Sequence, residues 1–211
     1  MLQVYFDTEF TGLYRDTSLM SIGMVTRLNG KTRGLYCEAN DYDMDKLNEW
    51  LEENVVENML FNDLEDVYRK NKTICMCKTA TFKLAHDYII PFLQELSIDD
   101  VNAGGSGKIQ LVSDVCHFDF VLFIDLFGTA FDLPSFVSPT CVDINEWLVQ
   151  ANLAPTSAAA FDLNREEVLK GLGGKVEIPA EEFKGKKHNA FWDACVIMEL
   201  ANKLQDKIYS K

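Results

Sequence analysis

The spacing of hydrophobic and polar positions changes from a strand-like to a helix-like pattern near Asp45. Three strands are predicted before that point, at Leu2–Phe10, Leu19–Leu28 and residues 33–39. Asn29-Gly30 separates the second strand from the third, and this dipeptide is typical of a tight hairpin turn. The start of the chain is therefore predicted to be a three-stranded antiparallel meander.

Most of the remaining chain has the spacing of helices. The predicted helices cover residues 45–55, 81–96, 117–127, 144–151, 164–172 and 189–208. Two further strands are predicted at Ile109–Ser113 and at residues 140–143, and Pro91 predicts a break inside the second helix. The sequence does not indicate what residues 60–78 and 152–183 contribute to function. Together the elements predict one domain, residues 1–211, with a three-layer α/β fold. Its mixed five-stranded sheet, three antiparallel strands and then two parallel ones, is flanked by helices.

The composition excludes some classes of function. The chain has 211 residues, 47% of them hydrophobic, and a formal net charge of −13. Such a charge argues against a broad basic surface that coats nucleic acid, although an enzyme that grips nucleic acid through metal ions and a small local patch stays compatible with it. The most apolar stretch, residues 118–137, contains three aspartates, so no membrane span and no membrane partner are predicted.

The cellular compartment is predicted from the N-terminus and the cysteines. The chain enters a strand pattern at once, without the charged and apolar regions of a secretory signal. The six cysteines are scattered through apolar surroundings, as reduced thiols are. We therefore expect a cytoplasmic protein.

Asp7 and Glu9 are the first candidates for chemistry. They lie two apart in a predicted strand, so their side chains should point to the same face and repel each other. A divalent cation would reverse that repulsion, because hard cations prefer oxygen ligands. An exposed acidic pair on an edge strand is the alternative explanation.

Two more segments carry acidic residues where sites of α/β proteins usually form, at strand ends and helix starts. Asp119 follows a predicted strand, and Asp193 lies at the start of the last predicted helix, five residues after His188. Four carboxylates and a histidine make a two-metal phosphoryl-transfer site plausible. Two helical residues five apart would differ by about 140° in direction, so His188 is expected on the loop before the helix.

Three motifs, in this order, resemble those of the DEDDh 3′–5′ exonuclease superfamily, which has a ribonuclease H-like fold. They are residues 6–13 (FDTEFTGL), residues 117–119 (HFD) and residues 188–193 (HNAFWD). The resemblance covers most of the chain, and it is greatest to small stand-alone exoribonucleases of bacteria and phages. His117 departs from the family pattern, because an asparagine is usual there. Asp114 is a rival to Asp119 as the acidic residue of the second motif.

The resemblance implies a metal-dependent hydrolase. Asp7, Glu9, Asp119 and Asp193 would hold two Mg²⁺ or Mn²⁺ ions, and His188 would be the general base that takes a proton from the attacking water. The substrate would be the 3′ end of a single-stranded nucleic acid, RNA more than DNA, and the products nucleoside 5′-monophosphates. Family members are often dimers, so a homodimer is also expected.

The remaining predictions concern the substrate. By resemblance, Thr8, Phe10 and Leu13 would hold the terminal nucleotide, and His117 and Lys187 would also contact the substrate. Core packing is the competing role for Phe10, and a solvated loop is the competing role for Lys187. Two other functions stay open: a non-catalytic nucleic-acid-binding protein on an exonuclease fold, and a phosphodiesterase for very short oligonucleotides.

Overall fold

A computed structural model of the protein describes residues 1–209, and it contains one mixed sheet of seven strands. The strands are β1 (Leu2–Phe10), β2 (Leu19–Leu28), β3 (Lys31–Ala39), β4 (Val67–Lys70), β5 (Ile74–Thr79), β6 (Ile109–Ser113) and β7 (Val137–Asp143). Their spatial order is β4-β5-β3-β2-β1-β6-β7. β1, β2 and β3 form the predicted antiparallel meander, and β6 and β7 continue the sheet in parallel beyond β1.

The prediction of a mixed α/β sheet is confirmed, but the prediction of five strands is wrong. The two additional strands, β4 and β5, lie between residues 67 and 79, almost wholly within the segment 60–78 that the pattern left unassigned. β5 is parallel to β3, and β4 is antiparallel to β5 at the edge of the sheet. β5 is buried at most positions and β4 is only four residues long, so neither shows the alternation that identifies a strand.

The helices occupy both faces of the sheet. They are α1 (Glu49–Asn54), α2 (Thr81–Lys83), α3 (Ile90–Asn102), α4 (Cys116–Asp125), α5 (Ile144–Gln150), α6 (Ser157–Phe161), α7 (Arg165–Gly171) and α8 (Ala190–Tyr209). A π-helical segment, Leu84–Ile89, joins α2 to α3 and ends two residues before Pro91, where the sequence predicts a break. Among residues 1–209, no helix has both the length and the apolar character needed to cross a membrane.

Two hydrophobic clusters give the fold its three layers. Val4 and Phe6 of β1 pack on one face of the sheet in a cluster with Leu93 of α3 and Phe123 of α4. Tyr5 belongs to the cluster on the opposite face, together with buried residues of α5 and α8. Because alternate residues of a strand point to opposite faces, Asp7 and Glu9 lie on the Tyr5 side, under α8.

Candidate active site

The strand β1 presents two carboxylates to the layer of α8. Asp7 lies opposite Gly23 of β2, and Glu9 lies opposite Ser21. The pairing with β2 becomes irregular directly after Glu9, as in a β-bulge. Bulges often re-aim a side chain next to a site. The side-by-side placement predicted for the two carboxylates is therefore present in the fold.

Gly23 lets the start of α8 approach these carboxylates. A Cβ atom at Gly23 would lie 2.3 Å from both the carbonyl oxygen of Ala190 and the amide nitrogen of Phe191, which is closer than any real contact. Only glycine allows backbone to lie this close to the sheet. Gly23 is the partner of Asp7 in the sheet, so this contact carries the first turn of α8, with Asp193, to the acidic end of β1.

Asp119 reaches the same place from the neighbouring strand. It lies in the first turn of α4, just after β6, and its side chain is buried. One carboxylate oxygen accepts hydrogen bonds from the amide nitrogen of Thr8 at 3.2 Å and from its hydroxyl at 2.6 Å. The hydroxyl of Ser113, the last residue of β6, donates to the other oxygen. These bonds fix Asp119 against β1 and β6 together.

His188 precedes α8 on a loop, as predicted. Its backbone is left-handed, with φ of 60°, and its amide nitrogen donates to Oδ2 of Asp193 at 2.9 Å. The side chain of Asn58 donates to the carbonyl oxygen of Lys187 at 2.8 Å and so holds the loop from outside. The half-buried imidazole meets the indole of Trp50 edge to face, with 5.2 Å between the ring centroids.

All five residues of the predicted catalytic set line one cavity of about 340 Å³. They are Asp7, Glu9, Asp119, Asp193 and His188. Four of the predicted substrate residues, Thr8, Phe10, Leu13 and Lys187, line the same cavity. His117 does not line this cavity, and its predicted contact with the substrate stays a prediction. Its ring is exposed, packs on Phe118 with 4.5 Å between centroids, and faces an adjacent groove.

The cavity joins side chains from β1, α4, α8 and the loop before α8. No protein-family model matches this chain, and no curated protein matches it significantly. What the site can do therefore follows from its own geometry and charge.

The acidic atoms form two compact groups. Ligand atoms of Glu9, His188 and Asp193 lie within 4.8 Å of one another, and so do those of Asp7, Asp114 and Asp119. Asp114 therefore lies as close to Asp7 as a shared ion would require, and distance alone does not separate it from Asp119. Such groups of hard oxygen ligands can hold Mg²⁺ or Mn²⁺.

The partner of Asp114 was not predicted from the sequence. Arg165, the first residue of α7, donates from Nε to Oδ2 of Asp114 at 2.8 Å. Its other nitrogens donate to the side chain of Asn145 and to the carbonyl oxygens of Ala160 and Leu163, at 2.7–2.8 Å. Arg165 thus ties residues 160–165 to the wall of the cavity. No local sequence pattern predicts this ion pair, because Arg165 and Asp114 are 51 residues apart.

Burial and mutual repulsion perturb the carboxyl groups strongly. The pKa values of Asp7 and Glu9 are raised well above the usual range, first by burial and then by neighbouring carboxylates. Burial, followed by the charge of Asp114, raises the pKa of Asp193 to about 8. Burial raises the pKa of Asp119 to about 7, although its hydrogen bonds from Ser113 and Thr8 act in the opposite direction. Bound cations would relieve this repulsion, so the charge distribution fits a metal site.

The pKa of His188 is shifted in the direction that suits a general base. Burial and then the neighbouring charge of Lys187 lower the pKa of His188, while Glu166 opposes them. Glu166 lies in the same cavity and accepts a hydrogen bond at 3.0 Å from Nε1 of Trp192. His188 is therefore mainly neutral at pH 7 and able to accept a proton.

Proposed function

We propose that this protein is a metal-dependent 3′–5′ exonuclease of the DEDDh type that acts on single-stranded nucleic acid, with RNA preferred. The observation that carries the proposal is the convergence of Asp7, Glu9, Asp119 and Asp193 with His188 in one cavity. The strand order β3-β2-β1-β6-β7 supports the ribonuclease H-like fold that the motifs imply. The homodimer and the cytoplasmic location stay predictions.

The four carboxylates would hold two divalent ions. Their oxygen atoms are the ligands that Mg²⁺ prefers. Burial, and then the negative charge of neighbouring carboxylates, raises the pKa values of Asp7, Glu9 and Asp193, and bound cations would offset both effects. Two bound ions would supply Lewis-acid stabilisation of the attacking and leaving oxygens. The hydrogen bonds from Thr8 and Ser113 orient Asp119, and the amide nitrogen of His188 orients Asp193.

His188 would act as the general base. Its ring lies at the cavity, and its lowered pKa keeps it unprotonated near neutral pH. A positioned base of this kind contributes typically about 10²–10⁴ in rate. The contacts of Asn58 and Trp50 hold the loop and the ring, so the imidazole is positioned before substrate arrives.

Residues at the rim of the cavity would receive the terminal nucleotide. The half-buried ring of Phe10 lines the cavity and lies 6.2 Å from the ring of Phe118, so Phe10 combines partial core packing with an accessible face. Leu13 is 64% exposed at the same rim and offers an apolar surface to a base. Lys187 provides a positive charge close to His188, where a phosphate would lie.

A gel with end-labelled strands tests the proposal. The protein is incubated with 5′-labelled single-stranded RNA and the equivalent DNA, with Mg²⁺, Mn²⁺ or chelator, beside His188→Ala. We expect a ladder that shortens from the 3′ end, faster on RNA, and that is absent with chelator and about 10²–10⁴ slower in the variant. His86→Ala removes an exposed histidine on the other side of the sheet and serves as the matched control.

Each other outcome has a clear meaning. A ladder that persists unchanged in chelator, or in His188→Ala, would contradict the mechanism. Binding of the strands without any cleavage would favour the non-catalytic alternative. Cleavage confined to dinucleotides and trinucleotides would favour the short-substrate phosphodiesterase.

A further inference from the structure

A second groove continues from the candidate active site along α4. It encloses about 580 Å³ and shares Phe10, Leu13 and Phe118 with the first cavity. Beyond them it is lined by Arg15, His117 and Val121, among others. We call it the α4 groove and define it by these six residues.

The surface of the α4 groove suits unpaired bases. The rings of His117 and Phe118 lie 4.5 Å apart and those of Phe118 and Phe10 6.2 Å apart, so they form a nearly continuous aromatic surface that leads away from the acidic cluster. Val121 is 61% exposed beside it. Bases stack on such surfaces without sequence preference, because every base has a flat face.

Arg15 supplies the charge that a nucleic-acid backbone needs. It is exposed, and it makes no ion pair with any of residues 1–209, although the chain carries a net charge of −13. Another groove that shares Phe10 and Leu13 with the site contains Trp50 and Lys46. Lys46 is already paired with Asp43 at 3.2 Å and Asp16 at 3.3 Å, so a phosphate there would have to compete with two carboxylates.

The loop that carries Arg15 is held by its own hydrogen bonds. The amide nitrogen of Ser18 donates to the hydroxyl of Thr11 at 3.0 Å, and the amide of Gly12 donates to the hydroxyl of Thr17 at 3.2 Å. The hydroxyl of Tyr14 donates a hydrogen bond to the carbonyl oxygen of Thr11 at 2.9 Å. The groove wall is therefore formed before a ligand binds, which lowers the cost of binding.

We propose that the α4 groove binds the nucleotides immediately upstream of the scissile phosphate, with bases on the His117–Phe118 surface and a phosphate on Arg15. This inference rests on the proposed function and adds to it the direction in which the strand leaves the site. It implies a preference for single strands longer than the minimal substrate, since each stacked base adds contact area outside the catalytic cavity.

The test compares two substrates. Thymidine 5′-p-nitrophenyl phosphate has no upstream nucleotide, whereas a single-stranded pentanucleotide fills the groove. The quantity measured is the ratio of kcat/KM for the pentanucleotide to kcat/KM for the ester. If the wild-type protein hydrolyses neither in Mg²⁺ or Mn²⁺, the proposed function fails. If it hydrolyses either one, the variants test the groove.

Two substitutions address the charge and the surface separately. Arg15→Gln should reduce the slope of log KM against log salt concentration for the pentanucleotide by about 0.7, the value for one phosphate contact on a single strand. Val121→Glu places a negative charge in the groove and should lower the kcat/KM ratio roughly tenfold. Val121→Ala, without the charge, and Lys207→Gln, an exposed cation near the end of α8, are the matched controls.

Three outcomes would overturn the inference. An unchanged ratio and salt slope in both variants would leave the strand without a contact in the α4 groove. An equal loss on both substrates would show damage to the catalytic cavity instead. A lowered ratio in Trp50→Ala alone would place the strand in the groove of Trp50 and Lys46.

Discussion

Asp114 and Asp119 are the two carboxylates between which the motif left a choice, and each has different partners in the fold. Asp119 receives its hydrogen bonds from neutral donors, Thr8 and Ser113, and keeps its full charge when ionised. Asp114 is paired with Arg165, whose side chain is only 11% exposed. The guanidinium of Arg165 already neutralises Asp114, so Asp119 is the better candidate for a cation ligand.

Asparagine substitutions at these two positions should therefore affect different properties, activity at Asp119 and stability at Asp114. Asp119→Asn removes a charge from a repelling cluster, and its amide can still accept from Thr8 and donate to Ser113, so the fold should keep its stability while nuclease activity falls by at least about 10²-fold. Asp114→Asn leaves Arg165 without its charge partner and should lower the free energy of unfolding by about 3 kcal/mol, the lower end of the range for broken buried pairs. Urea unfolding and the gel assay measure the two quantities.

A double substitution gives the control for this pair. Asp114→Asn combined with Arg165→Met should recover part of the lost stability, because no buried charge is then left unpaired. Full activity in Asp119→Asn with complete loss in a folded Asp114→Asn protein would reverse the assignment of the second motif.

At the scale of elements, the sequence predicts best where a side chain's neighbours are local. The bounds of β1, β2 and β6 agree with the structure, and α8 begins one residue later than predicted. The sequence does not predict β4 and β5, because β5 is stabilised by pairing with β3 and β4 by pairing with β5 rather than by their own residue pattern. The ion pair of Arg165, the contact of Trp50 with His188 and the outward position of His117 all depend on tertiary packing, and no local pattern reports them.

Asn189 connects α8 to the sheet and, through Asn58, to the loop that carries His188. Its Oδ1 accepts from the amide nitrogens of Phe191 at 3.1 Å and Trp192 at 3.3 Å, so it caps the start of α8. Its Nδ2 donates to the carbonyl oxygen of Asn58 at 2.9 Å and to the hydroxyl of Tyr36 at 3.1 Å. The residue directly after the proposed base therefore anchors the helix that carries Asp193.

Asn189→Ala should cost more than the loss of an ordinary helix cap. A cap is worth about 1 kcal/mol, and leaving buried polar partners unsatisfied adds about 1–3 kcal/mol, so we expect a loss of roughly 2–4 kcal/mol in the free energy of unfolding. Asn164→Ala is the matched control, because the exposed Asn164 caps α7 through Glu167 alone and should cost about 1 kcal/mol. Equal losses in the two variants, measured in urea, would show that the contacts of Asn189 with Asn58 and Tyr36 contribute nothing.

At the scale of the whole molecule, folding and metal binding favour different protonation states of the clustered carboxyl groups. The carboxylates lie at the layer boundary between the sheet and α8, where burial favours their protonated forms. Metal binding requires the deprotonated forms. If the site binds cations as proposed, protons and cations compete for the same groups, and the free energy of unfolding is expected to depend on both pH and metal concentration.

The sign of this dependence follows from Asp193. Its pKa is about 3.9 in an unfolded chain and about 8 in the fold, so between these values the folded state binds more protons than the unfolded state. The stabilising contribution is complete below the unfolded value and is lost as the pH rises to about 8. In chelator, the free energy of unfolding should therefore fall from pH 5 to pH 8, by up to about 1.4 kcal/mol per pH unit for each proton released. The melting temperature should fall with it. Mg²⁺ should raise it most at pH 8.

Calorimetry of the protein at pH 5, 6, 7 and 8, with chelator and with Mg²⁺, measures this directly. Asp193→Asn should make the fall in chelator shallower, because it removes one titrating group and relieves Glu9, whose pKa Asp193 also raises. It should also weaken the effect of Mg²⁺, since stabilisation by a ligand depends on its affinity for the folded state. Asp206→Asn, an exposed position on the same helix, should change neither. A melting temperature that is constant across this range in chelator, or that responds to Mg²⁺ equally at pH 5 and pH 8, would contradict the competition between protons and cations.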